Sequence, residues 1–107
     1  MSIQSTSAVK RLAAAAALLG ASAAFADPAL DGHQYLKEAS VSLESARGIA
    51  LKAFPGKIVT SELEREGGGS GLRYSFDINN GKVTHEVGVD AKTGIVLENA
   101  AEGPGAD

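Results

Sequence analysis

The sequence predicts an α+β fold in which one main helix packs on one face of a four-stranded antiparallel β-sheet. Two observations lead to this prediction. Apolar and polar residues alternate from Leu72 to Val89, a pattern that is typical of paired strands with one buried face. Before them, from Ser42 to Phe54, apolar residues recur with the period of a helix. The short links between these elements favour a meander, in which each strand pairs with the next.

The stretch from Leu72 to Val89 has the most specific pattern. Asn80-Gly81 separates its two alternating halves, and this pair suits a tight turn whose central residues need positive φ. If these two residues form the loop, Phe76 faces His85 and every apolar residue of the hairpin lies on one side of the sheet. We therefore predict a two-residue loop.

The main helix has clear signals at both ends. Ser42 is a favourable N-cap, Glu44 in the first turn suits the positive end of the helix dipole, and Pro55-Gly56 ends the helix. Its apolar residues fall on one face, which we assign to the core together with the inward residues of the strands. The predicted core is Leu43, Ala46, Ile49, Ala50, Ala53, Phe54, Val59, Leu63, Leu72, Tyr74, Phe76, Ile78, Val83, Val87, Val89 and Val96.

The remaining segments are assigned from shorter patterns. Lys57 to Glu66 is the predicted first strand and Ile95 to Glu98 the last, so both are edges of the sheet. The run from Gly67 to Gly71 is interpreted as a flexible connection, and Asp90 to Gly94 as a second tight turn. Residues 99–107 lack periodicity and are predicted to be a disordered C-terminal tail.

Residues 1–26 are interpreted as a secretory signal peptide. Lys10 and Arg11 form its positive end, Leu12 to Gly20 its short apolar run, and Ala24-Phe25-Ala26 its cleavage site. The alternative is an alanine-rich helix at the start of the domain. The signal peptide predicts a periplasmic or secreted protein, with no membrane insertion after cleavage.

Residues 27–40 are interpreted as a lead-in to the domain, with a short helix capped by Asp31. Removal of Lys10 and Arg11 leaves 8 basic and 13 acidic residues, because the whole chain has 10 Lys and Arg and 13 Asp and Glu. The mature chain is therefore acidic, with a formal net charge of -5.

Composition excludes several classes of function. Hydrophobic residues make up 44% and charged residues 21%, which is typical of an ordinary globular domain. The absence of cysteine excludes disulfide and thiolate chemistry. No basic cluster is present, so nucleic acid is not predicted as a partner. No cofactor, catalytic set or metal-ligating set is predicted, since the two histidines are isolated and no serine lies in a nucleophile motif.

Three residues are candidates for a binding role. Glu62 and Glu64 project to the same side of the first strand, where a solvated outer face is the alternative to a functional carboxylate pair. His85 lies on the apolar face of its strand. It is either a structural histidine packed at the sheet margin or a contact or pH-sensitive element of a binding surface.

Several of these segments resemble the PepSY family. The helix from Val41, Phe54-Pro55-Gly56 and the strand from Val59 resemble the first half of a PepSY domain. The stretch His85 to Leu97, with Asp-Ala-Lys-Thr-Gly at its centre, resembles the closing hairpin. The resemblance covers residues 41–98. Its departure from the family is the long Gly-rich run.

The resemblance implies a small secreted α+β module without catalytic residues. Such domains occur in propeptides of thermolysin-like proteases and as stand-alone periplasmic proteins, and their suggested role is to bind or inhibit proteases. We therefore predict a non-enzymatic binding module, including protease inhibition or regulation, whose partner is a secreted or periplasmic protease or another envelope protein. A metal- or small-molecule-binding periplasmic protein is the alternative. Strand addition to the first strand, Lys57 to Glu66, is the predicted mode of binding, and the alternative is that its charged residues only guard this edge and nothing binds there.

Overall fold

The computed structural model describes residues 28–103. The predicted signal peptide, residues 1–26, lies outside the described residues and stays a prediction. The sheet order follows the chain, β1-β2-β3-β4-β5, and α1 packs on one side of it, here called the inner face. The elements are β1 (Leu30–Asp31), a 3-10 helix (His33–Glu38), α1 (Leu43–Ala53), β2 (Lys57–Arg65), β3 (Leu72–Asn79), β4 (Thr84–Asp90) and β5 (Val96–Ala101).

The sheet has one more strand than the sequence predicts. Leu30 and Asp31 pair in parallel with Ser61 and Glu62 of β2, so the predicted four-stranded sheet is wrong by one short strand. A two-residue strand has no periodicity that a sequence pattern can reveal. The chain leaves β1 through Gly32 (φ 86°), where a side chain would collide with the Leu63 carbonyl, so only glycine fits this approach to β2.

The predicted short helix of the lead-in is present as the 3-10 helix His33–Glu38. Its N-cap is Gly32, not Asp31, and no side chain caps it. Arg65 of β2 joins the helix to the sheet, because its guanidinium lies 5.2 Å from the centre of the Tyr35 ring and 2.6 Å from the carboxylate of the last helical residue. The lead-in therefore packs along β2.

The main helix begins and ends as predicted. The Ser42 hydroxyl accepts a hydrogen bond from the Ser45 backbone N–H (3.1 Å), and Phe54 is the C-cap. Ala46 and Ala50 are fully buried against the sheet, and the larger apolar residues beside them are partly buried on the same core. Small side chains on this face bring the helix backbone close to the strands.

The core contains most of the predicted residues, but three valines are exposed. Val59 (44% exposed) is displaced by a β-bulge between Ile58 and Thr60, which turns Ile58 inward instead. Val83 (44%) lies in a loop and Val96 (38%) lies on the edge strand, so neither is covered. The buried apolar residues are Ala46, Ala50, Ile58, Leu63, Leu72, Tyr74, Phe76, Ile78, Val87, Val89 and Ala91.

The β3–β4 hairpin has a wider turn than predicted. The Asn79–Thr84 pair closes a loop of residues 80–83, so Phe76 faces Val87, and His85 faces Ile78 instead of Phe76. The Asn80 carboxamide stabilises this loop by accepting hydrogen bonds from two backbone N–H groups, those of residues 82 and 83. The register is shifted by an even number of residues, so the predicted inner face of the hairpin is preserved.

The Gly-rich run is held by Asp90 and is not the free connection that its composition predicts. One Asp90 oxygen accepts from the Ser70 hydroxyl (2.8 Å) and from the backbone N–H groups of Lys92 (2.8 Å) and Thr93 (3.1 Å). The other accepts from the Ser70 N–H at 2.6 Å. A side chain at Gly69 (φ 57°) would collide with this carboxylate. The loop and the β4–β5 turn therefore form one unit.

The same turn anchors the entry to the helix. The Ala91 carbonyl accepts hydrogen bonds from the backbone N–H groups of Ser40 and Val41, both at 2.9 Å. The buried Tyr74 hydroxyl donates to the Val41 carbonyl at 2.7 Å. Burial raises the pKa of this phenol, so it stays protonated as a donor. These bonds fix where α1 begins relative to the sheet.

The last strand is longer than predicted. β5 runs to Ala101, and the Glu102 N–H donates to the Thr84 carbonyl (2.8 Å), so residues 99–102 follow the sheet instead of a disordered tail. Residues 104–107 lie outside the described part of the chain. Within residues 28–103, neither helix has the length and apolar character needed to cross a bilayer.

Candidate binding face

The side of the sheet away from α1 carries a concentration of carboxylates, and we call it the acidic face. Strand register places alternate residues of β2, β3, β4 and β5 on this side, where no element of residues 28–103 packs on them. Basic residues at outward strand positions of this region are Lys57, at the start of β2, and Arg73. The acidic face consists of Thr60, Glu62, Glu64, Ser75, Asp77, Glu86, Glu98 and Glu102.

A shallow polar pocket of about 150 Å³ lies in the acidic face, lined by residues of β2, β3 and β4 and by Glu102 just after β5. Carboxylate oxygens of Asp77, Glu86 and Glu102 lie within 4.8 Å of one another there. The Thr60 hydroxyl donates to the Asp77 carboxylate at 2.8 Å. Sequence reasoning missed this cluster, because it assigned Glu102 to a disordered tail and used a hairpin register that did not pair Asp77 with Glu86.

Burial, together with repulsion between neighbouring carboxylates, raises the pKa of two glutamates of the acidic face, Glu64 and Glu86. For Glu64, burial is the main cause, and a hydrogen bond with Glu66 and the charge of Glu62 add to it, while a hydrogen bond from Ser75 acts in the opposite direction. For Glu86, burial again comes first, followed by repulsion from the surrounding carboxylates. An added positive charge would offset the part of these shifts that comes from repulsion between carboxylates.

The arginine of this face is already engaged. The Arg73 side chain is 10% exposed, and its Nη1 lies 3.5 Å from a Glu66 oxygen and 3.4 Å from a Glu98 oxygen. Its Nη2 donates to the Gly67 carbonyl (3.1 Å). The stem lies across Gly88, where a Cβ atom would be 2.9 Å from Arg73 Cδ. Arg73 thus ties β3 to the Gly-rich loop and to β5, and it offsets only part of the acidic charge.

The three predicted site residues do not come together. Glu62 and Glu64 lie on the acidic face, as their alternation along β2 predicts. His85 lies on the inner side of β4, at the margin of the core, and the sheet separates it from the two glutamates. The structure therefore gives the carboxylates and the histidine separate surroundings.

His85 forms a three-way contact between α1, β4 and β5. Its ring stacks on Phe54, with the centroids 3.7 Å apart and the planes 8° from parallel. The Asn99 carboxamide bridges the imidazole to the helix end, because its Nδ2 donates to the Ala53 carbonyl (3.3 Å) and its Oδ1 lies 2.7 Å from His85 Nδ1. Because Nδ2 donates to the Ala53 carbonyl, Oδ1 is the atom that faces the ring. An amide oxygen can only accept, so the proton of this hydrogen bond is assigned to His85 Nδ1.

We expect His85→Gln to lower the free energy of unfolding by about 1 kcal/mol, because the stacking on Phe54 is lost. Urea titration followed by circular dichroism measures the change. His33→Gln is the matched control, since His33 is exposed on the 3-10 helix and should leave stability unchanged. Equal stability of the two variants would contradict a structural role for His85.

No nucleophile is paired with a base at either described histidine. His85 Nδ1 bonds to an amide oxygen instead of a hydroxyl, and His33 is exposed on the 3-10 helix. The serine hydroxyls on the acidic face side bond to carboxylates, as Ser75 does to Glu64 (3.1 Å). The Ser75 hydroxyl and the His85 imidazole are therefore engaged with different partners on opposite sides of the sheet.

Comparison with protein-family models gives one match relevant to this geometry. Residues 40–99 match the PepSY model, described as "Peptidase propeptide and YPEB domain". The matched range begins at the helix entry and ends within β5, so it contains α1, β2, β3 and β4 and the first four residues of β5. Comparison with curated proteins and with solved structures gives no significant match.

Proposed function

The chain belongs to the PepSY family of peptidase propeptide and YPEB domains, and from this premise we propose that it is a non-enzymatic binding module that regulates a protease outside the cytoplasm. The partner is a secreted or periplasmic protease, or another envelope protein that such a protease controls. The observation that supports this proposal best is the uncovered acidic face, which offers a partner a continuous charged surface.

The charge of the acidic face selects the partner. Burial and mutual repulsion raise the pKa of Glu64 and Glu86, so a basic surface placed against them relieves an existing repulsion. Complementary charge mainly increases the association rate and the specificity of a complex. A partner with exposed lysine or arginine side chains fits this surface, and an acidic partner is repelled by it.

Location outside the cytoplasm is supported by the N-terminal sequence. Lys10 and Arg11, the apolar run after them and Ala24-Phe25-Ala26 have the order of a secretory signal peptide. The proposal is that cleavage after Ala26 releases the domain, which then meets its partner in the periplasm or outside the cell.

We expect the purified chain to slow a thermolysin-like metalloprotease at tens of micromolar, a concentration that detects weak complexes. Cleavage of a fluorogenic peptide measures residual activity over a series of salt concentrations. Glu86→Gln should weaken inhibition about tenfold at low salt, because a face charge is lost. Glu44→Gln, an exposed change on the helix side, is the matched control and should inhibit like the parent.

Two results would count against this proposal. If the protease keeps its full activity in the presence of the parent chain at these concentrations, the protein does not inhibit this class of protease. Equal inhibition by Glu86→Gln and the parent would show that the acidic face is not the contact. Calorimetric titration with Ca²⁺ and Zn²⁺ tests the alternative, a metal-binding protein. On that alternative the parent chain gives a heat of binding, and Glu86→Gln does not.

A further inference from the structure

The two edges of the sheet differ in how well they are covered. On one side, β1 pairs with residues 61–62 of β2, and Gly32 and the 3-10 helix pack along the strand beyond them. The predicted binding edge, Lys57 to Glu66, is therefore covered along its centre. On the other side, no strand among residues 28–103 pairs with the outer edge of β5. Strand addition thus has a suitable site at β5, not at β2.

The free hydrogen-bonding groups of β5 follow from its pairing with β4. The Glu102 N–H donates to the Thr84 carbonyl. Glu98 and Ala100, which precede it by four and two residues, therefore also direct their backbone N–H and C=O groups toward β4. In an antiparallel pair the intervening residues direct theirs the other way. The N–H and C=O groups of Asn99 and Ala101 therefore face the open edge, and no proline interrupts the strand.

Side chains beside this edge determine which strand fits it. Glu98 and Glu102 lie on the acidic face at the edge, with Glu86 one strand further in. An added strand lies about 5 Å from β5 and sends alternate side chains to the same face. On its other side it meets the small Ala101, the Asn99 carboxamide that is bonded to His85, and the exposed Val96. A segment with basic residues at alternate positions and apolar or small residues between them complements both sides.

A second copy of the chain fits this edge less well. Antiparallel pairing of β5 with itself would bring Glu98 and Glu102 of one copy beside those of the other. Directly opposed like charges destabilise a strand pair. The same carboxylates that favour a basic segment therefore disfavour edge-to-edge self-association.

We propose that β5 accepts an extended basic segment of the partner protein as a sixth strand, with its lysine or arginine side chains over the acidic face. This inference rests on the proposed function, since it takes the binding module as given and specifies the partner segment and its mode of attachment. Backbone hydrogen bonds supply the docking, and the carboxylates supply the choice of segment.

The test uses the purified chain and a fluorescent peptide with alternating lysines, Lys-Val-Lys-Thr-Lys-Val-Lys. Fluorescence anisotropy should show saturable binding, at least about tenfold tighter than that of a peptide of the same composition with its lysines grouped. In amide NMR spectra, Asn99 and Ala101 should shift most. Equal binding of the two peptides would show attraction by charge alone and overturn the proposal.

Backbone methylation distinguishes strand addition from other docking. In an extended peptide, the N–H groups of alternate residues point to opposite edges. Methylation of one alternate set should therefore abolish binding, and methylation of the other should leave it unchanged. If both methylated peptides bind like the parent peptide, no strand is added at β5.

Variants of the chain locate the site. Ala101→Pro removes an outward N–H, which edge strands tolerate, and should weaken peptide binding at least about tenfold. Glu98→Gln should weaken binding and reduce its salt dependence, while Glu44→Gln should not. If Ala101→Pro does not fold, Glu98→Gln still decides, because unchanged binding by that variant contradicts the proposal. Dimerisation through β5, detected by light scattering, would also contradict it.

These outcomes are separable from those of the protease assay. Peptide binding without protease inhibition would support the β5 site and contradict the proposed inhibition of a protease. Inhibition that Ala101→Pro does not affect, together with absent peptide binding, would support the function and remove the β5 site.

Discussion

Asp90→Ala is expected to lower the free energy of unfolding by about 3–5 kcal/mol, because several hydrogen bonds to one buried carboxylate are lost together. Asp90 is 1% exposed and accepts from Ser70, Lys92 and Thr93. Its removal frees both the Gly-rich loop and the β4–β5 turn. Urea titration measures the loss. Asp31→Ala, at an exposed position of β1, is the matched control and should change stability by less than about 0.5 kcal/mol.

The same residue gives a defined dependence on pH. Burial acts to raise the pKa of Asp90, but the hydrogen bonds from Ser70, Lys92 and Thr93 outweigh it and lower the pKa from 3.8 to about 2. Since the pKa is lower in the folded state, the stabilisation is complete above about pH 5 and is lost as the pH falls from about 4 to 2, amounting to about 2 kcal/mol. Asp90→Asn should remove this part of the acid sensitivity. If the difference in unfolding free energy between the parent and Asp90→Asn stays the same across this pH range, the lowered pKa of Asp90 is contradicted.

Phe76→Ala is expected to lower the free energy of unfolding by about 3–5 kcal/mol, from lost burial and the remaining cavity. The Phe76 ring is fully buried, between Ser61 on β2 and Val87 on β4, with the Tyr74 ring centre 6.1 Å away. A domain of this size has a total stability on the order of 5 kcal/mol, so the variant should be largely unfolded.

Val83→Ala is the control for Phe76→Ala, and it also tests the hairpin register. With the observed four-residue loop, Val83 is 44% exposed and its truncation should cost less than about 0.5 kcal/mol. With the two-residue loop it would face Ile78 in the core and its truncation would cost more. Circular dichroism in urea compares both variants with the parent. A loss under about 1 kcal/mol for Phe76→Ala would mean that the side chain is not in the core.

Patterns of several residues predicted the main elements of this fold. The helical period from Ser42 to Phe54 and the alternation along β3 and β4 depend on burial, which repeats along an element and leaves a signal in composition. Single contacts leave no such signal. The pairing of Leu30 with Ser61, and the placement of Val59 in a bulge, depend on one close backbone approach each, and the sequence did not reveal them.

The candidate face was predicted only in part, for a related reason. Alternation along one strand placed Glu62 and Glu64 on a common outer side. Assembly of Asp77, Glu86 and Glu102 required the correct register of two further strand pairs and the full length of β5. A shift in the hairpin turn changes every cross-strand neighbour while leaving each strand's own pattern intact. The pattern of each single strand therefore could not predict which residues are neighbours across strands, or the shape of the charged surface that they form.

Ser40 and Val41, at the helix entry, are hydrogen-bonded to the Ala91 carbonyl, and this affects the order in which the elements of the chain fold. Ser40 and Val41 emerge from the ribosome long before their hydrogen-bond acceptor, and so does the helix that follows them. A nascent chain that ends before Ala91 can form α1 only as an isolated short helix, which is marginal in water. Docking of α1 therefore waits for the β4–β5 turn, and a helix that is synthesised before four of the five described strands is among the last elements to be fixed in place.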